Sequence, residues 1–132
     1  MDITMTIYDF AGRHEVNNIS ALETVLQTRY GLHRNGFWIS HHEERNPVLS
    51  LLVAGDLATA LYFPYEGHPG FTSVGRVEGL DQNEFTTFSY DTIEQEQDFI
   101  NSQIITFSNA LLAAKDFFAS KGLPKSIQWF EL

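Results

Sequence analysis

Apolar and polar residues alternate at the start of the chain, where Ile3, Met5 and Ile7 are separated by Thr4, Thr6 and Tyr8. That is the period of a half-buried strand, expected over 2–8. The spacing then turns helical. Leu22, Val25, Leu26 and Tyr30 recur three or four residues apart, Ser20-Ala21-Leu22-Glu23 has capping-box spacing with Ile19 as a staple, and Gly31 follows as a stop. Three β-rich runs come next, at 36–42, 48–54 and 57–63; a charged, Pro-containing connection separates the first two and a Gly55-Asp56 turn the last two. An antiparallel meander is expected there.

Pro64, Gly67, Pro69 and Gly70 interrupt the pattern in Phe63-Pro64-Tyr65-Glu66-Gly67-His68-Pro69-Gly70-Phe71, which reads as an irregular loop before another short strand. A further strand is expected over 85–90. The second helix is the clearer one. Phe107, Ala110, Leu111, Ala114, Phe117 and Phe118 make a single apolar stripe, Thr106 or Ser108 can cap it, Gly122 suits the left-handed position past its end, and Pro124 prevents continuation. Ile127, Trp129 and Phe130 then return as a terminal strand. The whole pattern predicts an α+β fold: a mainly antiparallel sheet with two principal helices packed on it, in a single layered domain over 1–132.

Composition narrows the function. Apolar residues are 43% of the 132, enough for one continuous core. No Cys is present, which removes disulfides, thiolate metal sites and a Cys nucleophile. Neither a secretory-type N-terminal pattern nor an apolar run of the roughly 20 residues that cross a bilayer is read in the chain, so a cytoplasmic protein without membrane contact is expected. The net charge of −9 argues against nucleic acid and for a basic partner. The acid is also unevenly placed. Glu78, Asp81, Glu84, Asp91, Glu94, Glu96 and Asp98 are seven of the 17 acidic residues, and no Lys or Arg lies between Arg76 and Lys115, so this stretch carries a strong local negative potential.

Catalytic signals are weak. His41-His42-Glu43-Glu44, with His33 and His68, supplies metal-ligand types and motivates an alternative reading as a small metal-dependent hydrolase using His41, His42 and His68. Adjacent strand residues point to opposite faces, however, and the helical His-Glu-x-x-His spacing is absent. Ser40, Ser50 and Ser73 lack the Gly-x-Ser-x-Gly turn of a nucleophile elbow. Glu94 and Glu96 read as a solvated face rather than an acid–base pair, and the glycines form no phosphate loop. No catalytic residue, metal or cofactor is assigned. Trp38 and Trp129 could anchor a binding surface, but both are expected in the core.

Three features taken together carry a resemblance: Leu61-Tyr62-Phe63-Pro64 leading into Gly67-His68-Pro69-Gly70-Phe71, the Ala- and Phe-rich helix over 110–118, and Gly122-Leu123-Pro124 followed by Ile127-Gln128-Trp129. Over residues 36–130 the chain resembles the first-numbered immunity protein family of bacterial polymorphic toxin systems. The resemblance implies an α+β binding protein, without catalysis or cofactor, encoded beside a toxin that is often a nucleic-acid deaminase. Pro64, Gly70, Gly122, Pro124 and Trp129 carry over as fold markers. For the binding face, the acids Glu78, Asp81, Glu84, Glu94, Glu96 and Asp98 are candidates for steering and rim contacts. Tyr65 and Phe71, with Glu66 beside them, are candidate anchors against a basic toxin. A non-inhibitory adaptor would use the same kind of surface.

Overall fold

The computed structural model describes residues 4–132. Its elements are β1 (Met5–Asp9), β2 (Gly12–Val16), α1 (Ile19–Leu26), β3 (Arg34–His41), β4 (Val48–Ala54), β5 (Leu57–Phe63), β6 (Phe71–Val74), β7 (Phe85–Ser89), β8 (Glu96–Ile100), β9 (Ile105–Thr106), α2 (Phe107–Ser120) and β10 (Gln128–Glu131). The fold is α+β. The main sheet has the order β10-β6-β5-β4-β3-β1-β2, with the short β9 on the start of β5, and every pairing is antiparallel. β7 and β8 form a separate two-stranded hairpin.

Both helices lie on one face of the sheet. Met5, Ile7, Phe37, Ile39, Leu49, Leu51, Val53, Ala58 and Ala60 alternate inward from the strands and meet Leu22 and Leu26 of α1 and Ala110, Ala114 and Phe117 of α2. Small alanines on α2 let it approach the sheet closely, and Phe117 fills the space at its far end, edge-on to Tyr62 and His41. Arg29 links the helices: its guanidinium donates to the carbonyls of Leu26 and Thr28 at the end of α1 and lies 4.4 Å from the centre of the Phe107 ring at the start of α2. Burial holds the Arg29 pKa below its ordinary value, the Asp56 carboxylate opposing that shift.

The other face carries a smaller core. Phe88 and the partly buried Phe99 of the hairpin lie over Leu52, with Ile104, Ala54, Leu57, Val77 and Leu80 completing the cluster. Asn101 fixes the hairpin's base. Its side chain accepts from Thr86 Oγ1 and donates to the Asp81 carbonyl, and its N–H donates to Glu84. At the opposite end Arg34 of β3 pairs with Glu96 at 2.5 Å and reaches Ser89 Oγ.

Several sequence expectations shift in detail. The first strand begins at Met5 and runs to Asp9, while positions 2 and 3 lie outside the described residues. Asn18, not Ser20, caps α1, accepting from the Ala21 N–H, and the helix stops at Leu26 rather than near Tyr30. With Asn18 as the cap, Glu23 lies beyond the capping-box position, and it pairs with Lys115 of α2 instead. Thr106 does cap α2, but the left-handed residue at its end is Lys121, φ 63°, and not Gly122. The helical ladder closes from Lys121 N–H to the Phe117 carbonyl, one residue earlier than expected. Trp38 leaves the core: Phe37 and Ile39 of β3 take the helix side, and Trp38 points the other way, half-buried, on a face it shares with Arg34, Gly36 and Ser40. Phe130 likewise lies on the outer side and is 61% exposed.

The remaining fold markers have structural reasons. Gly70 takes φ 103°, and a Cβ there would meet the Phe63 ring at 2.9 Å, so only glycine fits the bend into β6. Pro124 is buried, its carbonyl accepting from Trp129 Nε1 at 2.7 Å, and Trp129 packs partly buried against the main core. Pro64 ends β5.

Candidate interaction surface

The acidic run is a turn-rich segment followed by a two-stranded hairpin. After β6 the chain passes Gly75 into a turn-rich segment and then the β7–β8 hairpin, which projects its acids while Phe88 and Phe99 hold it to the sheet. All seven acids, Glu78, Asp81, Glu84, Asp91, Glu94, Glu96 and Asp98, are exposed. Among the described residues only Glu96 of the seven has an ion-pair partner, Arg34. Asp98 accepts from Thr87 Oγ1, and Asp81 accepts from the Asn83 N–H within its own turn. Of the six carboxylates without an ion pair, Glu78, Asp81 and Glu84 lie in the turn segment before β7 and Asp91, Glu94 and Asp98 on the hairpin; with no Lys or Arg between Arg76 and Lys115, the stretch is a strongly negative pole. Phe85, 59% exposed on the same hairpin, places an apolar ring among them.

The loop after β5 divides its candidates. Tyr65 is 62% exposed and Glu66 is exposed beside it. Phe71 belongs to β6 and packs against the main core, its ring covered by His68, whose plane lies 7° from parallel at 5.2 Å between centres. Tyr65 meets the other side of His68 edge-on. Nδ1 of His68 accepts from the Gly70 N–H, which leaves Nε2 to donate to Glu131 at 2.9 Å. His68 is therefore the clamp of this loop.

The histidines do not converge. His41 is buried, bonded to the Phe117 carbonyl at 2.8 Å, whereas His42 follows it on the opposite side, 3.7 Å from Glu43. His33 lies in the exposed turn before β3. Among the described residues no group of three His, Asp or Glu side chains is arranged to hold a metal ion. Ser73 Oγ donates to the Gln103 carbonyl and accepts from the Ala60 N–H, and no hydrogen bond joins Ser40, Ser50 or Ser73 to a histidine among the described residues. Glu94 and Glu96 stand in solvent.

One buried polar cluster escaped the sequence pattern. Asp9 accepts from the Ala11 and Gly12 N–H groups, His14 Nε2, Tyr30 Oη and Asn35 Nδ2. Burial alone would raise its pKa; the hydrogen bonds from Asn35, His14 and Ala11, with the attraction of His14, outweigh that and hold it below the ordinary value. Burial, aided by the Asp9 carboxylate, raises Tyr30. Every acceptor position is used locally, so the cluster fixes the β1–β2 turn to β3. An Asp-x-x-Gly turn ahead of a polar strand was the signal for it.

Among the described residues no helix is long and apolar enough to cross a membrane. No protein-family model matches the chain. Across 127 residues, which are 94% of this chain and 97% of the relative, it is 25% identical to the double-stranded DNA deaminase immunity protein of Burkholderia cenocepacia (strain H111). The resemblance to the immunity proteins of deaminase-type toxins is therefore carried by nearly the whole chain.

Proposed function

We propose that this protein is a cytoplasmic immunity protein that binds a cognate deaminase-type toxin domain and neutralises it by covering the surface through which the toxin reaches its substrate. The end-to-end likeness to a double-stranded DNA deaminase immunity protein carries this reading. The acidic hairpin supplies the physical means. A deaminase that works on nucleic acid needs Lys and Arg along its approach to hold phosphates. Six carboxylates without an ion pair, three on the turn segment before β7 and three on the hairpin, compete for those groups. They also raise the encounter rate, because complementary fields steer association.

Nothing in this mechanism asks the protein to change a bond. Inhibition is stoichiometric, so its quality depends on capture before turnover and on slow release. Expression of the toxin domain in cells with and without this protein tests the reading: growth and genome sequence should be preserved only when it is co-expressed. Equal toxicity and equal mutation load in both cultures would overturn it.

A further inference from the structure

The sheet register places one row of side chains straight across the helix-free face: Tyr8 opposes Trp38, Trp38 opposes Ser50, Ser50 opposes Leu61, Leu61 opposes Thr72, and Thr72 opposes Phe130. Six strands at ~4.8 Å spacing make this row about 24 Å long. An antiparallel sheet with one face in water ordinarily carries polar residues there. Here the tall members are aromatic or aliphatic, and the short ones, Ser50 and Thr72, are buried between them. The hairpin touches this row at Trp38, through Tyr90. Its Phe88 and Phe99 pack at the Leu52, Ala54 and Leu57 end of the sheet, leaving Tyr8 48% and Phe130 61% exposed.

We propose that this row is the apolar centre of the toxin interface and the acidic hairpin its rim, a proposal that rests on the immunity reading above. The two are continuous. Tyr90, at the end of β7, meets Trp38 edge-on at 6.4 Å between ring centres, and the exposed Asp91 follows it directly. Beside Trp38 the face dips into a shallow groove of about 370 Å³ lined by Thr6, Tyr8, Ser40 and Val48 together with two cations, Arg13 and Arg45, and two acids, Glu43 and Glu44. Trp, Tyr and Arg are the residues that most often dominate binding energy when a partner excludes water from them. Apolar side chains of the partner can enter the dip, with Ser50 and Thr72 leaving room for further ones along the row.

Charge selects the occupant. A second copy would bring another net −9 and a second acidic hairpin onto the same face, whereas a basic domain neutralises the rim as it buries the row. The surface therefore fits a basic toxin domain that presents apolar side chains between its cationic groups. Rim and centre should also separate kinetically, the rim acting on association and the row on dissociation.

The test compares the parent with the double variant Tyr8→Ser/Phe130→Ser, both positions being exposed, in real-time binding to the purified toxin domain. Dissociation should be at least about 30-fold faster in the variant, with association within about twofold of the parent. In a Trp129→Phe background the remaining Trp38 reports directly: its emission should move to the blue and resist acrylamide quenching in the complex. Unchanged dissociation together with a Trp38 that stays quenchable would overturn the proposal. So would a free protein that sediments as a dimer with Trp38 already shielded, since the row would then belong to a second copy. A parent protein that fails to bind the toxin at all would overturn the immunity reading itself, a result distinct from either.

Discussion

Gly75 marks the point where the chain leaves β6 for the acidic segment, and replacing it by alanine should damage the join between the two cores. A Cβ built there lies 1.9 Å from the Ile104 carbonyl oxygen, 2.8 Å from its carbon and 2.9 Å from Ile105 Cγ2. These are far inside the ~3.5 Å of ordinary contact. The neighbours cannot retreat cheaply. Ile104 is fully buried against the Leu52 and Phe88 cluster, Ile105 pairs with Ala58 in β9–β5, and the Gly75 N–H itself donates to the Ser102 carbonyl at 2.9 Å. Overpacking a core by one methyl costs about 1–3 kcal/mol. With backbone atoms opposing the intruder on a fixed strand, Gly75→Ala should sit at the top of that range, about 3 kcal/mol, and lower Tm by roughly 10 °C. Urea unfolding followed by tryptophan fluorescence measures it. Gly122→Ala is the matched control: its Cβ would approach only Ser120 Oγ, at 4.0 Å, and it should keep the parent stability or gain up to about 1 kcal/mol. A Gly75→Ala midpoint within about 0.5 kcal/mol of the parent would refute the reasoning.

Asp9 gives a pH dependence. Its folded-state pKa lies below the ordinary value, so its contribution is complete above the unfolded value of about 3.9 and is lost as pH falls through the lower folded value. Asp9→Asn should flatten the decline in urea stability below about pH 4; an identical decline in parent and variant would contradict the cluster's role. Reversing Glu78, Glu84 and Glu94 to Lys should slow toxin association by at least about tenfold at low salt and leave Tm unchanged, and association as fast as the parent's would place the steering elsewhere. Trp129→Phe should cost about 1 kcal/mol through the lost bond to the Pro124 carbonyl, and Trp129→Ala about 3 kcal/mol in calorimetric unfolding. Equal losses would mean that the ring packing contributes little.

The meander was legible almost residue by residue, because β4 and β5 are strongly apolar and Gly55-Asp56 leaves one place for the turn between them. The second helix was also readable from its stripe and from Thr106. β2 was not: Gly-Arg-His-Glu-Val has little apolar periodicity, and its register comes from pairing with β1. β8 was hidden for a related reason, since Glu-Gln-Asp reads as solvated chain until Phe88 and Phe99 are seen to hold the hairpin down. Charge counting found the acidic segment but could not show that it is a structured arm. Trp38 marks the limit most clearly. Phe37, Trp38 and Ile39 form one unbroken apolar run, which does not say which side receives the helices, and the row from Tyr8 to Phe130 exists only through the register of six strands.

Neutralisation by stoichiometric binding is measured most directly by titrating the purified protein into the toxin domain in a calorimeter and assaying deamination of DNA in the same samples. The expected result is a one-to-one complex, with activity falling in proportion to the fraction bound and reaching zero at equivalence. Tight binding that leaves deamination intact, or loss of deamination without binding, would contradict it.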